Sequence, residues 1–290
     1  MNYEEGTILY YLKKSEEFLK KHEIPNHRLE SELLLAHLLE IPRIKLYSDF
    51  EKKLEQKTIE TYRALIKKKA SSYPTAYLLN QKHFFNDVFF VDERVLIPRP
   101  ETEELVELVL NENGFPEKAL SVLDLGTGSG CIAISLKKQN PNWDVFASDI
   151  SKDALEVAQR NAENLLKDEP TPVSFLESDL FEEIPPNVKF DIIVSNPPYI
   201  PSSEKPLLSS EVLKEPTLAL FVEDILEFHF LLLKQASQYL ETNGKLYLET
   251  HPEFAQKILD LGISLEFSGK IHFDFSKKER FLVFHKKNLI

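Results

Sequence analysis

Asn196-Pro197-Pro198-Tyr199 places an amide oxygen, a rigid backbone carbonyl and an aromatic face in four consecutive residues. A planar amino nitrogen, in an amide or an aromatic amine, has a delocalised lone pair and is a poor nucleophile. The Asn196 side-chain oxygen can accept one of its N–H groups and the Pro197 carbonyl the other. Two acceptors aimed at one NH₂ draw the nitrogen toward tetrahedral geometry and favour the charge it gains on attack. Prolines hold that carbonyl in place beforehand. Tyr199 offers a flat face for a planar group. Asn196, Pro197 and Tyr199 are therefore read as catalytic, with Pro198 beside them in substrate binding. Asn-Pro also marks ordinary turns. Its position decides between the readings, because it ends the strand FDIIVS in a region where strands and helices alternate.

A second constellation lies upstream. Asp124-Leu125-Gly126-Thr127-Gly128-Ser129-Gly130 joins the strand SVLDLG to the helix CIAISLKKQN. Glycines permit the tight turn and let a ligand lie against the backbone. Asp149 ends the next strand, 23 residues after Gly126. A carboxylate at that strand end can accept from both hydroxyls of a ribose. Gly126, Thr127, Gly128, Ser129, Gly130 and Asp149 are thus candidate nucleoside-cofactor residues. Dinucleotide sites favour G-x-G-x-x-G, with pyrophosphate on a helix N-terminus. Here the spacing is G-x-G-x-G with an acid two residues before it. S-adenosylmethionine has no phosphate and carries excess positive charge, so it suits this acidic loop better. Its sulfonium methyl is already electrophilic, and alignment supplies most of the remaining rate. The chemistry requires neither a metal nor a covalent intermediate.

The elements that must position these residues follow from periodicity. Residues 7–21, HRLESELLLAHLLE and 57–71 have apolar positions at helical spacing. The last ends in Lys67, Lys68 and Lys69, read as a solvated helix face. Residues 83–97 turn aromatic and β-branched around Asn86-Asp87, which predicts a β-hairpin. From residue 101 helices and buried strands alternate, and the last segments, ISLEFSGKIHFDF and RFLVFHK, are expected to pair antiparallel. The expected fold is α/β: a Rossmann-like, mostly parallel seven-stranded sheet with an antiparallel C-terminal strand. A small all-helical domain over 1–75 and a hairpin linker over 76–97 would precede the sheet domain over 98–290.

Composition narrows the class. The single cysteine, Cys131, excludes a disulfide framework and a multi-cysteine metal site. Residues 101–200 carry nineteen acidic and seven basic side chains, whereas residues 1–100 carry fifteen and seventeen. A polyanion would meet an opposing field in that middle segment, so direct nucleic-acid binding is not expected. The first ten residues, MNYEEGTILY, lack a signal-peptide pattern, and no apolar run reaches the length of a membrane span. The expectation is a cytoplasmic protein with no membrane contact.

Taken alone, these residues describe an S-adenosylmethionine-dependent amino-methyltransferase, and the tetrapeptide is shared by DNA, RNA and glutamine methylases. A further motif separates them. Val95-Leu96-Ile97-Pro98-Arg99-Pro100-Glu101-Thr102-Glu103 resembles the signature of the peptide chain release factor glutamine methyltransferases. The resemblance extends over the helical start, the hairpin, the glycine loop, Ser195-Asn196-Pro197-Pro198-Tyr199-Ile200, Glu215-Pro216 and the Arg280 strand. It implies methylation of the side-chain amide of the glutamine in the Gly-Gly-Gln motif of release factors. It also implies that Asp179 and Leu180 adjoin the cofactor's adenine and that Asn196 through Tyr199 hold the glutamine amide. Asn196 would also touch the cofactor. The Arg99–Glu103 stretch, with Arg99 and Glu101 in substrate binding, would line the cleft entrance or else form a structural salt-bridge corner, and the helical domain would grip the release factor. This chain departs from the family where Leu180 replaces an aromatic and where Asn80, Asn86, Phe221 and Ser276 replace glycines. Amino-methylation of DNA or RNA is the alternative activity; a silent nucleotide-binding protein and an NAD-dependent oxidoreductase fit the motifs less well.

Overall fold

The computed structural model describes residues 4–114, 118–167, 169 and 172–286. The chain forms two compact units, Met1–Gln81 with Ser209–Lys214, and Lys82–Leu208 with Glu215–Ile290.

The first unit is helical. Helix α1 (Ile8–Lys21) starts at Thr7, whose side chain accepts from the Tyr10 N–H. It buries Ile8, Tyr11, Leu12, Ser15 and Leu19, the spacing of one helical face. Helices α2 (His27–Leu38), α3 (Lys45–Ser48), α4 (Gln56–Ala70) and α5 (Thr75–Leu79) follow. Leu34, Leu35, Leu46, Ile59, Tyr62 and Ile66 share its core with α1. The lysine run of α4 differs from its sequence reading. Lys67 and Lys68 are exposed, but Lys69 is buried, 3.1 Å from Glu211 and 3.6 Å from Glu30. A buried ammonium needs such partners, and Glu211 comes from the distant Ser209–Lys214 segment.

The second unit opens with a hairpin of β1 (Lys82–Phe84) and β2 (Asp87–Phe89). Its strands are shorter than the aromatic run suggests, and residues 90–97 continue as irregular chain. Of the two asparagines at family glycine positions, Asn80 is left-handed, with φ 51°. At the hairpin turn it is Phe85, φ 55°, and not Asn86, that takes the left-handed conformation.

The rest of the unit runs α6 (Pro100–Asn113), β3 (Ser121–Leu125), α7 (Cys131–Gln139), β4 (Asp144–Asp149), α8 (Lys152–Leu165), β5 (Ser174–Glu177) and β6 (Phe190–Ser195). Then come β7 (Ile200–Pro201), α9 (Thr217–Leu220), β8 (Phe221–Val222), α10 (Ile225–Tyr239), β9 (Leu240–Glu249), α11 (Ala255–Ser264), β10 (Phe267–Phe273) and β11 (Glu279–Lys286). The main sheet has the order β10-β11-β9-β6-β3-β4-β5. Strands β5, β4, β3, β6 and β9 are mutually parallel, and β11 runs antiparallel between β9 and β10. This is the Rossmann-like sheet that the strand and helix alternation predicts.

Period-two alternation separates the faces of the sheet. Val122, Val145, Ile192, Val194 and Val283 pack with Leu105 and Val109 of α6, Ile134 and Leu136 of α7, and Ala162 of α8. Leu123, Ile193, Leu246 and Leu282 pack with Leu232 and Leu233 of α10 and Ile258 of α11. Helix α11 has no counterpart in the sequence reading, which begins a strand at Ile263. Gly262 within it is a contact point: a Cβ there would collide with the Phe284 ring, so the glycine lets α11 lie on β11. Strand order reverses at β3, which has β4 on one side and β6 on the other. Ligands of open parallel sheets bind at such a reversal, beyond the carboxyl ends of the strands.

Candidate active site

The Gly126–Gly130 loop leaves the end of β3 and is held to β4 by backbone bonds. Both the Gly126 and the Thr127 N–H donate to the Ser148 carbonyl, at 2.8 and 2.9 Å. All three glycines have positive φ, but their surroundings differ. A Cβ on Gly126 or Gly128 would meet nothing within 4 Å, so the backbone there faces open space. A Cβ on Gly130 would come within 2.9 Å of Ile134 and 3.2 Å of Ala158. Gly130 therefore serves the packing of α7 on α8, and the first two glycines serve the cleft.

Beneath the loop, Asp124 is fully buried. Its Oδ2 accepts from the Thr127 hydroxyl at 2.6 Å and the Ala133 N–H at 3.1 Å, while Oδ1 has no hydrogen-bond partner. Burial pushes its carboxyl up to about 7. At the end of β4, Asp149 accepts from the Gly128 N–H at 2.8 Å and the Ser151 N–H at 2.9 Å. These bonds orient the carboxylate, and burial raises its pKa from the ordinary value.

A cleft of about 210 Å³ lies over these strand ends. Gly126, Gly128, Asp149, Asp179, Leu180, Asn196, Pro197 and Pro198 all line it. Thr127, Ser129 and Gly130 do not; their positions lie behind the loop surface. Leu180 has φ 48°, and its carbonyl accepts from the Ser178 hydroxyl at 3.0 Å. This turn presents Leu180 to the cleft and sends Phe181 into the core, where it stacks on Tyr239 at 4.8 Å. Ile150, Leu218 and Phe228 complete an apolar wall that the sequence reading does not single out.

Ser195 joins the tetrapeptide to the loop. Its hydroxyl donates to the Leu125 carbonyl at 2.6 Å, across the β3/β6 boundary. Behind Asn196 lies a buried chain of hydrogen bonds. Asn196 Nδ2 donates to Thr102 Oγ1 at 3.0 Å, and Thr102 donates to Glu249 Oε2 at 2.8 Å. The Tyr199 hydroxyl donates to Glu249 Oε1 at 3.0 Å. The Tyr199 ring is half-buried while burial of its hydroxyl, with Glu249 beside it, raises its pKa. Glu249 has no exposed surface, and burial pushes its carboxyl up to about 7 against the pull of Arg280.

The Arg99–Glu103 stretch divides its residues. Arg99 Nη2 donates to Glu215 Oε1 at 2.7 Å, and Glu215 Oε2 accepts from the Ile97 N–H at 3.0 Å. Pro100 starts α6, and Glu101 stands in its first turn. Neither Arg99 nor Glu101 lines the cleft; Thr102, between Glu101 and Glu103, is the residue that reaches the tetrapeptide. Thr102 is read from sequence only as part of that stretch, and Glu249 carries no assignment from sequence. Glu249 does have a legible signal, since it ends a parallel strand as Asp149 does.

The residues present fit S-adenosylmethionine. The bare backbone at Gly126 and Gly128 gives a cradle that any side chain would fill, and Asp149 supplies a carboxylate for hydroxyl groups. Leu180, Ile150 and Phe228 offer apolar surface for a flat ring.

Sheet order, glycine loop and strand-end acids together define a Rossmann-like methyltransferase that uses S-adenosylmethionine. The family comparisons agree. Residues 102–261 match the Methyltransferase small domain and residues 11–79 the PrmC N-terminal domain. A ribosomal-RNA N2 methyltransferase of Thermus thermophilus, solved in complex with AdoMet and guanosine, shares the fold with a TM-score of 0.51 at 18% identity. That match covers 71% of this chain and 50% of the other. The Release factor glutamine methyltransferase of Leptospira interrogans is 50% identical over 279 residues, 96% of this chain and 97% of its own. The protein of the same name from Chlorobaculum tepidum is 37% identical over 282 residues, 94% of this chain and 95% of its own. This chain belongs to the release factor glutamine methyltransferase family.

Proposed function

We propose that the protein transfers a methyl group from S-adenosylmethionine to the side-chain amide nitrogen of the glutamine in the Gly-Gly-Gln motif of peptide chain release factors. One observation carries the reading: Asn196 and Pro197 line the same cleft as Gly126, Gly128 and Asp149. Cofactor residues and paired amide acceptors therefore share one small volume.

S-adenosylmethionine supplies the electrophilic methyl. The chain supplies everything else. Gly126, Gly128, Asp149, Asp179 and Leu180 hold the cofactor. The Asn196 side-chain oxygen and the Pro197 carbonyl accept the two N–H groups of the glutamine amide. Both are positioned before substrate arrives, so they stabilise the charge the nitrogen gains without reorganising. Pro198 and the half-buried ring of Tyr199 flank the planar amide. The cleft walls Ile150, Leu218 and Phe228 keep water from the reacting nitrogen.

In this reading the helical unit grips the release factor. The acidic middle segment disfavours direct contact with nucleic acid. No helix among the described residues is long and apolar enough to cross a membrane, and cytoplasmic action beside the translation machinery is the accompanying proposal.

The test uses labelled S-adenosylmethionine with a release factor, its Gln→Ala variant at Gly-Gly-Gln, and RNA or DNA in separate reactions. Label is expected in the intact release factor alone. Label in nucleic acid would favour base methylation instead, and label persisting in the Gln→Ala protein would move the reaction to another residue.

A further inference from the structure

Asn196 serves a substrate amide only if its oxygen, and not its nitrogen, faces the cleft. The Asn-Pro-Pro-Tyr segment itself does not decide this, because an amide turned over about its last bond fills the same space. The residues behind it do. Thr102 has one hydroxyl proton, and Glu249 Oε2 lies 2.8 Å from its oxygen. An ionised carboxylate accepts and never donates, so the Thr102 proton is directed at Glu249. What Thr102 then offers Asn196, 3.0 Å away, is a lone pair. The Asn196 NH₂ fits that lone pair. Turned over, Asn196 would set its oxygen against the Thr102 oxygen, acceptor to acceptor, beside the buried Thr102 and Glu249 side chains.

We infer that Glu249, acting through Thr102, is a positioning residue that fixes the Asn196 amide with its oxygen toward the substrate. The inference rests on the glutamine-methylation reading above and assigns a task to two residues outside the tetrapeptide. The Tyr199 hydroxyl, donating to the other Glu249 oxygen, reinforces the acceptor-only state of the carboxylate.

Protonation reverses the logic. A neutral Glu249 can donate to Thr102, whose own proton then becomes available to Asn196 Oδ1, and the amide is free to turn. The groups acting on Glu249 are Thr102 and Glu101 from α6, Tyr199 after β6 and Arg280 from β11, and Glu249 in turn acts on Cys131 at the start of α7. Burial, the largest influence, and the Glu101 charge raise its carboxyl, while the Thr102 and Tyr199 hydrogen bonds and Arg280 oppose them, leaving it near 7. Activity is thus expected to fall as pH drops through about 7.

The experiment measures methylation of a release factor by the wild type, Thr102→Val, Thr102→Ser and Glu249→Gln between acid and alkaline pH. S-adenosylmethionine is kept saturating, so titration of Asp124 does not enter through cofactor capture. Thr102→Val should lose about 100-fold in kcat while its cofactor dissociation constant stays within about threefold, the pattern of a group acting on the reacting amide alone. Thr102→Ser, which keeps the hydroxyl, should retain kcat within about threefold. The acidic limb of the wild-type profile should be absent from Glu249→Gln. Wild-type kcat in Thr102→Val would overturn the inference, as would Thr102→Ser being as slow as Thr102→Val. An acidic limb persisting unchanged in Glu249→Gln would overturn it too. If Thr102→Val does not fold, the serine variant and the pH comparison carry the test. Wild-type protein that leaves the glutamine unmethylated would instead overturn the proposed function, a result separate from any variant.

Discussion

The Ser195 hydroxyl donates to the Leu125 carbonyl at 2.6 Å, tying the last residue of β6 to the last residue of β3. The next residue on each strand, Asn196 on one and Gly126 on the other, lines the cleft. One buried bond therefore sets the spacing between the proposed amide acceptors and the proposed cofactor loop. Ser195→Ala should cost about 1–2 kcal/mol of stability, the worth of a buried hydrogen bond whose acceptor is left alone. It should also lower kcat about tenfold through misplacement of Asn196. Denaturant titration and steady-state kinetics measure the two effects; unchanged kcat would mean the tetrapeptide is held by other contacts.

Gly126 and Gly130 should respond differently to the same change. Gly126→Ala adds a methyl where nothing lies within 4 Å, at a φ of 75° that costs about 1–2 kcal/mol for an L-residue. Such a protein should fold and lose affinity for S-adenosylmethionine. Gly130→Ala drives its methyl against Ile134 and Ala158, so it should unfold more readily even without cofactor. Thermal melts beside calorimetric titration of the cofactor distinguish the two. Equal loss of binding with equal melting points would contradict the division of roles.

Asn161 joins the segment after the hairpin to the glycine loop. It bonds both the N–H and the carbonyl of Phe90, at 2.7 and 3.0 Å, and the Ser129 carbonyl at 2.9 Å. Asn161→Ala removes all three bonds from a buried position and should cost about 3 kcal/mol. Hydrogen exchange should speed up at Phe90 and in the loop together. Protection lost at only one of them would show that Asn161 does not couple the two.

Glu249 also makes stability depend on pH. Its carboxyl stands at about 7 in the folded protein against 4.5 for a free one. Between those values the folded state holds a proton that the unfolded state has released. The contribution is therefore full below pH 4.5 and lost as pH rises to 7. Relative to the wild type, Glu249→Gln should gain about 3 kcal/mol between pH 4.5 and pH 7. Urea titrations at both ends of that range measure the gain, and a constant difference between the two proteins would contradict the raised carboxyl.

Much of this architecture is legible along the chain because its causes are local. A glycine loop between a strand and a helix, an acid at the next strand end and a proline-stiffened tetrapeptide each announce themselves within ten residues. Alternating apolar positions likewise give β3, β4, β6 and β9 and the layers that cover them. Helix α11 is not read from the sequence, and the contact that seats it, Gly262 against the Phe284 ring, joins residues far apart in the chain. That Phe181, beside the expected adenine neighbour Leu180, goes into the core follows from the left-handed turn at Leu180, which residue type does not announce. Lys69 reads as solvated until Glu211, 142 residues later, meets it.

The sequence by itself determined the class of cofactor, the class of nucleophile and the doubly wound sheet. Each is written in residue type and short spacing, and backbone geometry converts such spacing directly into position. Only the tertiary structure decided what stands behind Asn196. Thr102 lies 94 residues before it, and Glu249 another 147 residues along from Thr102. Hydrogen bonds over such separations leave no periodic trace in the chain; they exist because parallel strands bring their carboxyl ends together.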